Sequence, residues 1–373
     1  MNIFKGIDWL VFFPVLIMTI MSTVTLVGLM NLGFGGVTED LIYKHIFSIF
    51  LGVVLCVIIT NIDYRQYGHY IYIIFAFNIL LLVGLLLFGS TINGAKSWFR
   101  ILGFSFQPVE IVKITVILIT AKYISYYYYI IESLWIVVNS LIPVSILAFL
   151  VMLQPDFGST MILILLWVLM LFLSGINKWY IGLLTIIGFL IIITIWFGVF
   201  KDYQKQRVIT FLNPTTDPLG SGYNAVQSIK SVKNGGLKGI LIEKKEVISV
   251  PEIQTDFIFS GFAQLWGIIG VTIYFILLTT LIMRIMFLSF TITDIFPKII
   301  LIGTIILLIV QNLINIAMNI GLAPITGIPL LFMSSGGSSM IASFVIIGLV
   351  FSIKHHSKDK GISYMSDDYD LFI

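Results

Sequence analysis

A chain of 373 residues that is 59% hydrophobic and 10% charged, with a mean hydropathy of +1.07, lies far from water-soluble domains, where about 25% of residues carry charge. Its 21 Lys and Arg against 18 Asp and Glu leave a formal charge of +3, too small an excess to mark a nucleic-acid binder. The composition is that of an integral membrane protein.

Apolar runs of about 20 residues are long enough to cross roughly 30 Å of hydrocarbon as α-helices, and they lack the strict alternation of a β-barrel. The expected fold class is all-α, a polytopic helical bundle of about ten spans in a single membrane domain over 1–373. The spans fall near residues 8–29, 44–61, 69–89, 107–125, 138–153, 159–174, 179–200, 261–283, 298–320 and 336–353. The first has Lys5 before it and no small-residue cleavage pattern, so it reads as a retained helix. Cys56 sits inside an apolar run, so this single cysteine offers no disulfide framework. No internal repeat is visible, which weakens a transporter reading.

The Lys and Arg residues in the connections set an orientation. Lys5, Arg65, Lys122, Lys178, Arg284, Lys298, Lys354, Lys358 and Lys360 fall on one side; Lys96 and Arg100, with Lys44 at a span edge, fall on the other. The first side is expected to be cytoplasmic, with both termini on it. The large polar loop over 201–261 then faces outward, and the tail over 355–373 is a solvated cytoplasmic end.

Taken along the chain, Lys96 and Arg100 flank Trp98 and Phe99 at the outer interface, where two cations suit a phosphate headgroup. The aromatic pair is equally at home in an interfacial belt. Glu110 and Lys113, three residues apart, share a helix face at the start of the fourth span, as a site pair or as a structural ion pair. Asp156, in Gln154-Pro155-Asp156-Phe157-Gly158, reads first as a turn residue and second as a sugar or cation contact. Pro and Gly between Asn319 and Pro329, followed by Ser334-Ser335-Gly336-Gly337-Ser338-Ser339, break regular helix and imply backbone that is buried or lines a wet cavity. In the large loop, basic residues from Lys201 to Lys245 outnumber the acids, which favours an anionic ligand or simple solubility beside lipid headgroups.

Together, Gly94 to Arg100, Phe104 to Pro108 with Glu110 and Lys113, Gln154 to Thr160, Phe211 to Pro214 with Asp217 to Tyr223, Thr255-Asp256-Phe257-Ile258-Phe259 and Ile325 to Ser339 resemble the SEDS family of bacterial membrane proteins, and most nearly its RodA branch. The resemblance implies a peptidoglycan glycosyltransferase that polymerises lipid II outside the cytoplasmic membrane, with a class B penicillin-binding transpeptidase as partner. It implies that Asp256 is the catalytic base of an inverting transfer that releases undecaprenyl diphosphate. Substrate contacts are expected from Lys96, Arg100, Glu110, Lys113, Asp156, Thr255 and Ser338. No metal ligands are assigned, although a divalent cation such as Mg2+ would help neutralise the diphosphate. The chain departs from the family pattern at Gln264, where an acid is common, at Ile240 to Val247, and at Ser335. Two rival readings are a flippase for lipid-linked precursors, with Glu110 and Lys113 on its path, and a noncatalytic scaffold of a cell-wall synthase.

Overall fold

The computed structural model describes residues 6–34, 36–92, 95–101, 104–128, 134–177, 220–243 and 246–357, with isolated positions between 179 and 213. Among the described residues, six helices are long and apolar enough to cross a membrane: α1 (Trp9–Asn31), α2 (Glu39–Asn61), α4 (Ile71–Phe88), α10 (Ile258–Thr291), α11 (Ile295–Asn319) and α12 (Gly337–Ser357). Between them stand α3 (Tyr64–His69), α5 (Val109–Tyr126), α6 (Leu134–Leu153), α7 (Phe157–Leu173), α8 (Ser221–Asn234) and α9 (Ile240–Glu243). The chain is a multi-pass helical membrane protein. Nine of the expected spans coincide with α1, α2, α4, α5, α6, α7, α10, α11 and α12 to within several residues. The expected span over 179–200 lies largely outside the described residues, as does the first part of the 201–261 loop. In the remainder of that loop the chain forms α8 and α9, because Ser228 and Ser231 give α8 a face that buries against α10 and α11.

Polar caps set several helix boundaries. The side chains of Asp8, Thr38, Asp63, Asp156 and Asp294 each accept a backbone N–H from the first turn of the following helix. The interfacial segment after α4 was not expected to pair, yet it forms a three-stranded antiparallel sheet, β1 (Ser90–Ile92), β2 (Ala95–Ile101) and β3 (Phe104–Phe106), in the order β1-β2-β3. Backbone beside a bilayer needs internal hydrogen bonds, and this short sheet supplies them where no helix runs.

Small residues let the helices approach closely. α2 and α12 meet at Gly52, whose missing Cβ would stand 2.6 Å from Phe344, and at Gly348, 2.9 Å from the Cys56 carbonyl. At one end of the bundle, buried Asp8 accepts from Arg284 Nη2 of α10 and Lys354 Nζ of α12, both at 2.8 Å, and so ties three helices together. Burial pushes the Asp8 carboxyl up, but the hydrogen bonds from Arg284 and Lys354 and their positive charge outweigh it, leaving the group below its ordinary value of 3.8. A carboxylate lowered in the folded state stabilises the fold above its unfolded value, and that contribution is lost as pH falls through the lower folded value. Acid unfolding of the detergent-purified protein should therefore show a component below about pH 4 that Asp8→Asn removes. The variant should be less stable at pH 7, by about 1.5–3 kcal/mol for each charge-assisted bond it weakens.

α10 is one helix broken at Gly267, where φ is 63° and ψ −165°. The turn that ends α8 packs into the break: the N–H groups of Ile268 and Ile269 donate to the carbonyls of Gly236 and Leu237 at 3.0 and 3.2 Å. This contact has no room for a side chain, since a Cβ on Gly239 (φ +88°) would stand 1.9 Å from the Leu265 carbonyl oxygen. Gly239→Ala is expected to cost at least about 2 kcal/mol, read as a lowered melting temperature in detergent.

Candidate functional site

At the end of the bundle away from Asp8, a cavity of about 630 Å³ opens among the starts of α2, α7 and α12, the sheet, and the segments 252–256 and 323–329. Asp256 lines it, half-buried, in the turn that precedes α10. That turn is held through its main chain. The Asp256 carbonyl accepts from Asn315 Nδ2 at 2.9 Å and Asn319 Nδ2 at 3.1 Å. The Thr255 carbonyl accepts from Ser334 Oγ at 2.7 Å, and the Gln254 carbonyl from Ser335 N and Oγ at 3.0 and 2.7 Å. Beneath them Ile253 and Phe257 are buried in the core. Three successive carbonyls are thus gripped from α11 and from the chain leading into α12, which leaves side chains of the turn to face the cavity. Gly327, with φ +73°, faces the carboxylate: a Cβ there would stand 3.5 Å from Asp256 Oδ2.

Asp156 also lines the cavity, and it caps α7. Its Oδ1 accepts from Ser159 N at 3.0 Å, while Oδ2 accepts from Ser159 Oγ at 2.8 Å and Gln107 Nε2 at 3.3 Å. Gln107 N donates in turn to Ser338 Oγ at 2.8 Å, and Ser338 Oγ donates to the Ser105 carbonyl at 3.3 Å. Asp156 and Ser338 are therefore two ends of one network that joins β3, α7 and α12. Thr255 lines the same space.

The other sequence candidates stand elsewhere. Lys113 Nζ is 2.8 Å from Glu110 Oε1 and 2.9 Å from Gln311 Oε1, with both charged side chains buried. Gln311 Nε2 donates to the Pro329 carbonyl at 3.1 Å, so the pair sits behind the cavity wall and braces it. Lys96 Nζ donates to the carbonyls of Leu86 at 2.7 Å and Leu87 at 3.2 Å, a cation at the negative end of α4. Arg100, on β2 opposite Ser105, is exposed and does not line the cavity. Among the described residues, the basic side chain that does line it is Lys44, read in sequence as a span-edge charge. No three His, Cys, Asp or Glu side chains come together to hold a metal ion among the described residues.

Comparison with known proteins agrees with this architecture. The family model covering FtsW, RodA and SpoVE, described as a cell cycle protein, matches residues 3–359. The chain belongs to the FtsW, RodA and SpoVE family. Among its curated relatives, peptidoglycan glycosyltransferase MrdB of Escherichia coli K12 is 32% identical over 348 residues, covering 92% of this chain and 94% of that one. Stage V sporulation protein E of Bacillus subtilis is 31% identical over 316 residues, covering 83% and 85%. A solved structure described as structural coordination of polymerization and crosslinking by a peptidoglycan synthase complex superposes with a TM-score of 0.81 at 26% identity, covering 95% of this chain and 99% of that one. The rod shape determining protein RodA of Thermus thermophilus shares the fold, with a TM-score of 0.69 at 23% identity, covering 94% and 97%.

For this member of the FtsW, RodA and SpoVE family, the departure at Gln264 has a structural account. With its amide oriented to satisfy its neighbours, Gln264 donates to Ser231 Oγ at 3.1 Å and the Ile248 carbonyl at 3.2 Å, and its oxygen accepts from Ile248 N at 2.7 Å. A neutral amide can both donate to and accept from the backbone of one residue, which a carboxylate cannot. Ser335, the other single-residue departure, anchors the Asp256 turn through Gln254. The sequence did not single out Asn315 or assign roles to Gln107 and Asn319. The signal for the two asparagines was Gln311, Asn312, Asn315 and Asn319, polar residues on one face of a largely apolar helix.

Proposed function

We propose that this chain polymerises lipid II into glycan strands at the outer face of the cytoplasmic membrane, by an inverting transfer that releases undecaprenyl diphosphate. Its curated relatives carry the name peptidoglycan glycosyltransferase, and the chain is an enzyme of that class. The observation that carries the reading is the placement of Asp256, a carboxylate on the wall of a large cavity in a turn clamped through its backbone. In the proposed step, Asp256 takes the proton of the acceptor sugar hydroxyl as that oxygen bonds the anomeric carbon. The bond from that carbon to the diphosphate breaks and the diphosphate departs with the electron pair. A single displacement inverts the anomeric centre and needs its base on the side of the nucleophile.

The excess of Lys and Arg in the connections on one side supports cytoplasmic termini and an outward-facing cavity. The helix directions agree with it, since the Asp8 and Lys354 ends of α1 and α12 meet away from the cavity. A class B transpeptidase is the proposed partner, supported by the synthase complex that shares this fold. Against the flippase, the buried Glu110–Lys113 pair satisfies itself and Gln311 rather than lining a path. Purified protein in vesicles with lipid II, with and without the transpeptidase, should form glycan strands. Lipid II crossing the bilayer without polymerisation, or no product from a folded complex, would replace this reading by the flippase or the scaffold.

A further inference from the structure

Lys96, Arg100 and Lys113, which the sequence offered for a diphosphate, do not line the cavity. Lys96 caps α4, Lys113 neutralises Glu110, and Arg100 lies on an exposed strand outside the cavity. Lys44 is placed differently. It lines the cavity from α2, and its Nζ is 2.7 Å from Asp40 Oδ2 across one helical turn, with the two side chains 40% and 73% exposed. Such an exposed pair contributes little and stays open to water, so it does not commit the Lys44 ammonium as the buried pair commits Lys113.

The surroundings of Lys44 suit that ligand. Ser48, one turn further along α2, lines the same cavity and donates from Oγ to the Lys44 carbonyl at 2.8 Å. Ser48 Oγ lies 3.1 Å from where a Cβ on Gly337 would stand, so the Lys44 face of α2 lies against the start of α12. Gly336 and Gly337 also line the cavity there, and the dipole of that 21-residue helix adds positive potential at its first turn.

We propose that Lys44 holds the diphosphate of the lipid-linked sugar in this cavity, exchanging Asp40 for the diphosphate as substrate enters. The inference rests on the glycosyltransferase reading and deepens it by naming the residue that meets the leaving group. A diphosphate offers several strong acceptors and more than one negative charge, and a lysine ammonium meets them as a compact point charge with three donors. The contact strengthens as the bond to the sugar breaks and charge gathers on the departing oxygens.

The test uses the full chain in phosphatidylcholine vesicles, with and without phosphatidylglycerol. Lys44→Met, Lys44→Arg and Asp40→Asn are made both alone, for turnover, and in an Asp256→Asn background, for binding of fluorescent lipid II. Lys44→Met is expected to lower kcat/KM and weaken binding by about 10- to 100-fold, the scale of a lost charge-assisted contact. Lys44→Arg should retain most of both, and inhibition by undecaprenyl diphosphate should weaken in parallel in Lys44→Met. Asp40→Asn should move the other way, with a lower KM, because the competing counter-ion is gone; this variant keeps the assignment testable if Lys44→Met does not fold. Unchanged KM and unchanged product inhibition in Lys44→Met, while the wild type polymerises, would overturn the proposal. A binding loss seen only when phosphatidylglycerol is present would assign Lys44 to bilayer headgroups and overturn it as well. If the wild type makes no glycan but lipid II binding still depends on Lys44, the glycosyltransferase reading fails and the diphosphate contact stands.

Discussion

Replacing Asp256 by Asn is expected to cut glycan polymerisation by about 100- to 10,000-fold, the range contributed by a positioned general base. The substitution isolates the chemistry because the structure holds this turn through main-chain atoms. Asn315 and Asn319 bind the carbonyl of residue 256, which Asn retains, and Ser334 and Ser335 bind the carbonyls of the two preceding residues. The main-chain clamp should therefore survive, while an amide of the same shape cannot take up the hydroxyl proton. The loss should appear in kcat, with KM nearly constant, because the base acts in the transition state. Asp256→Glu should rescue little, since one added methylene moves the carboxylate by about 1 Å and misplacement on that scale costs about 100-fold. A variant that loses affinity but keeps kcat would make Asp256 a substrate-binding group and remove it as the base.

The second large effect is expected behind the cavity rather than in it. Lys113→Met leaves the Glu110 carboxylate, 3% exposed, without its counter-charge, and removes the donor that Gln311 accepts. Breaking one side of a buried ion pair costs about 3–5 kcal/mol, mostly as the desolvation of the charge left behind. Because Gln311 also donates to the Pro329 carbonyl, the disturbance reaches the cavity wall. Combining Lys113→Met with Glu110→Gln removes both charges and should recover most of the stability, measured by thermal unfolding in detergent. A double variant as unstable as the single one would contradict the desolvation account. If the stable double variant then fails to polymerise, the pair serves the reaction as well as the packing.

Much of this protein was legible from hydropathy and residue spacing. Apolar run length fixed the class and nine span positions, because a hydrocarbon slab imposes one requirement on every crossing helix. The motif around Asp256 and the broken segment from Asn319 to Ser339 were both visible as polar or helix-breaking residues in an apolar chain. Less legible was which polar residue meets which. Lys96 and Arg100 looked like ligand cations because their charge at an expected interface suits a phosphate headgroup, but Lys96 turns back onto the end of α4 and Arg100 lies exposed on β2. Nothing in a one-dimensional pattern distinguishes an ammonium that caps a helix from one that awaits a phosphate.

The sequence by itself determined that the chain is a membrane-spanning helical bundle, where its breaks in helix fall, and which carboxylate its motifs single out. The first two depend on local composition and on the length of hydrocarbon to be crossed, and the carboxylate on the resemblance of its motif to a known family. The tertiary structure decided that the turn bearing Asp256, the asparagines of α11 and the serines before α12 form one clamp, although as many as 81 residues separate the partners. It also decided that Lys44 of α2, rather than the cations nearest the outer motif, lines the cavity with Asp256. Long-range hydrogen bonds and buried charge pairs are set by helix packing, and packing depends on all the faces at once rather than on any one segment.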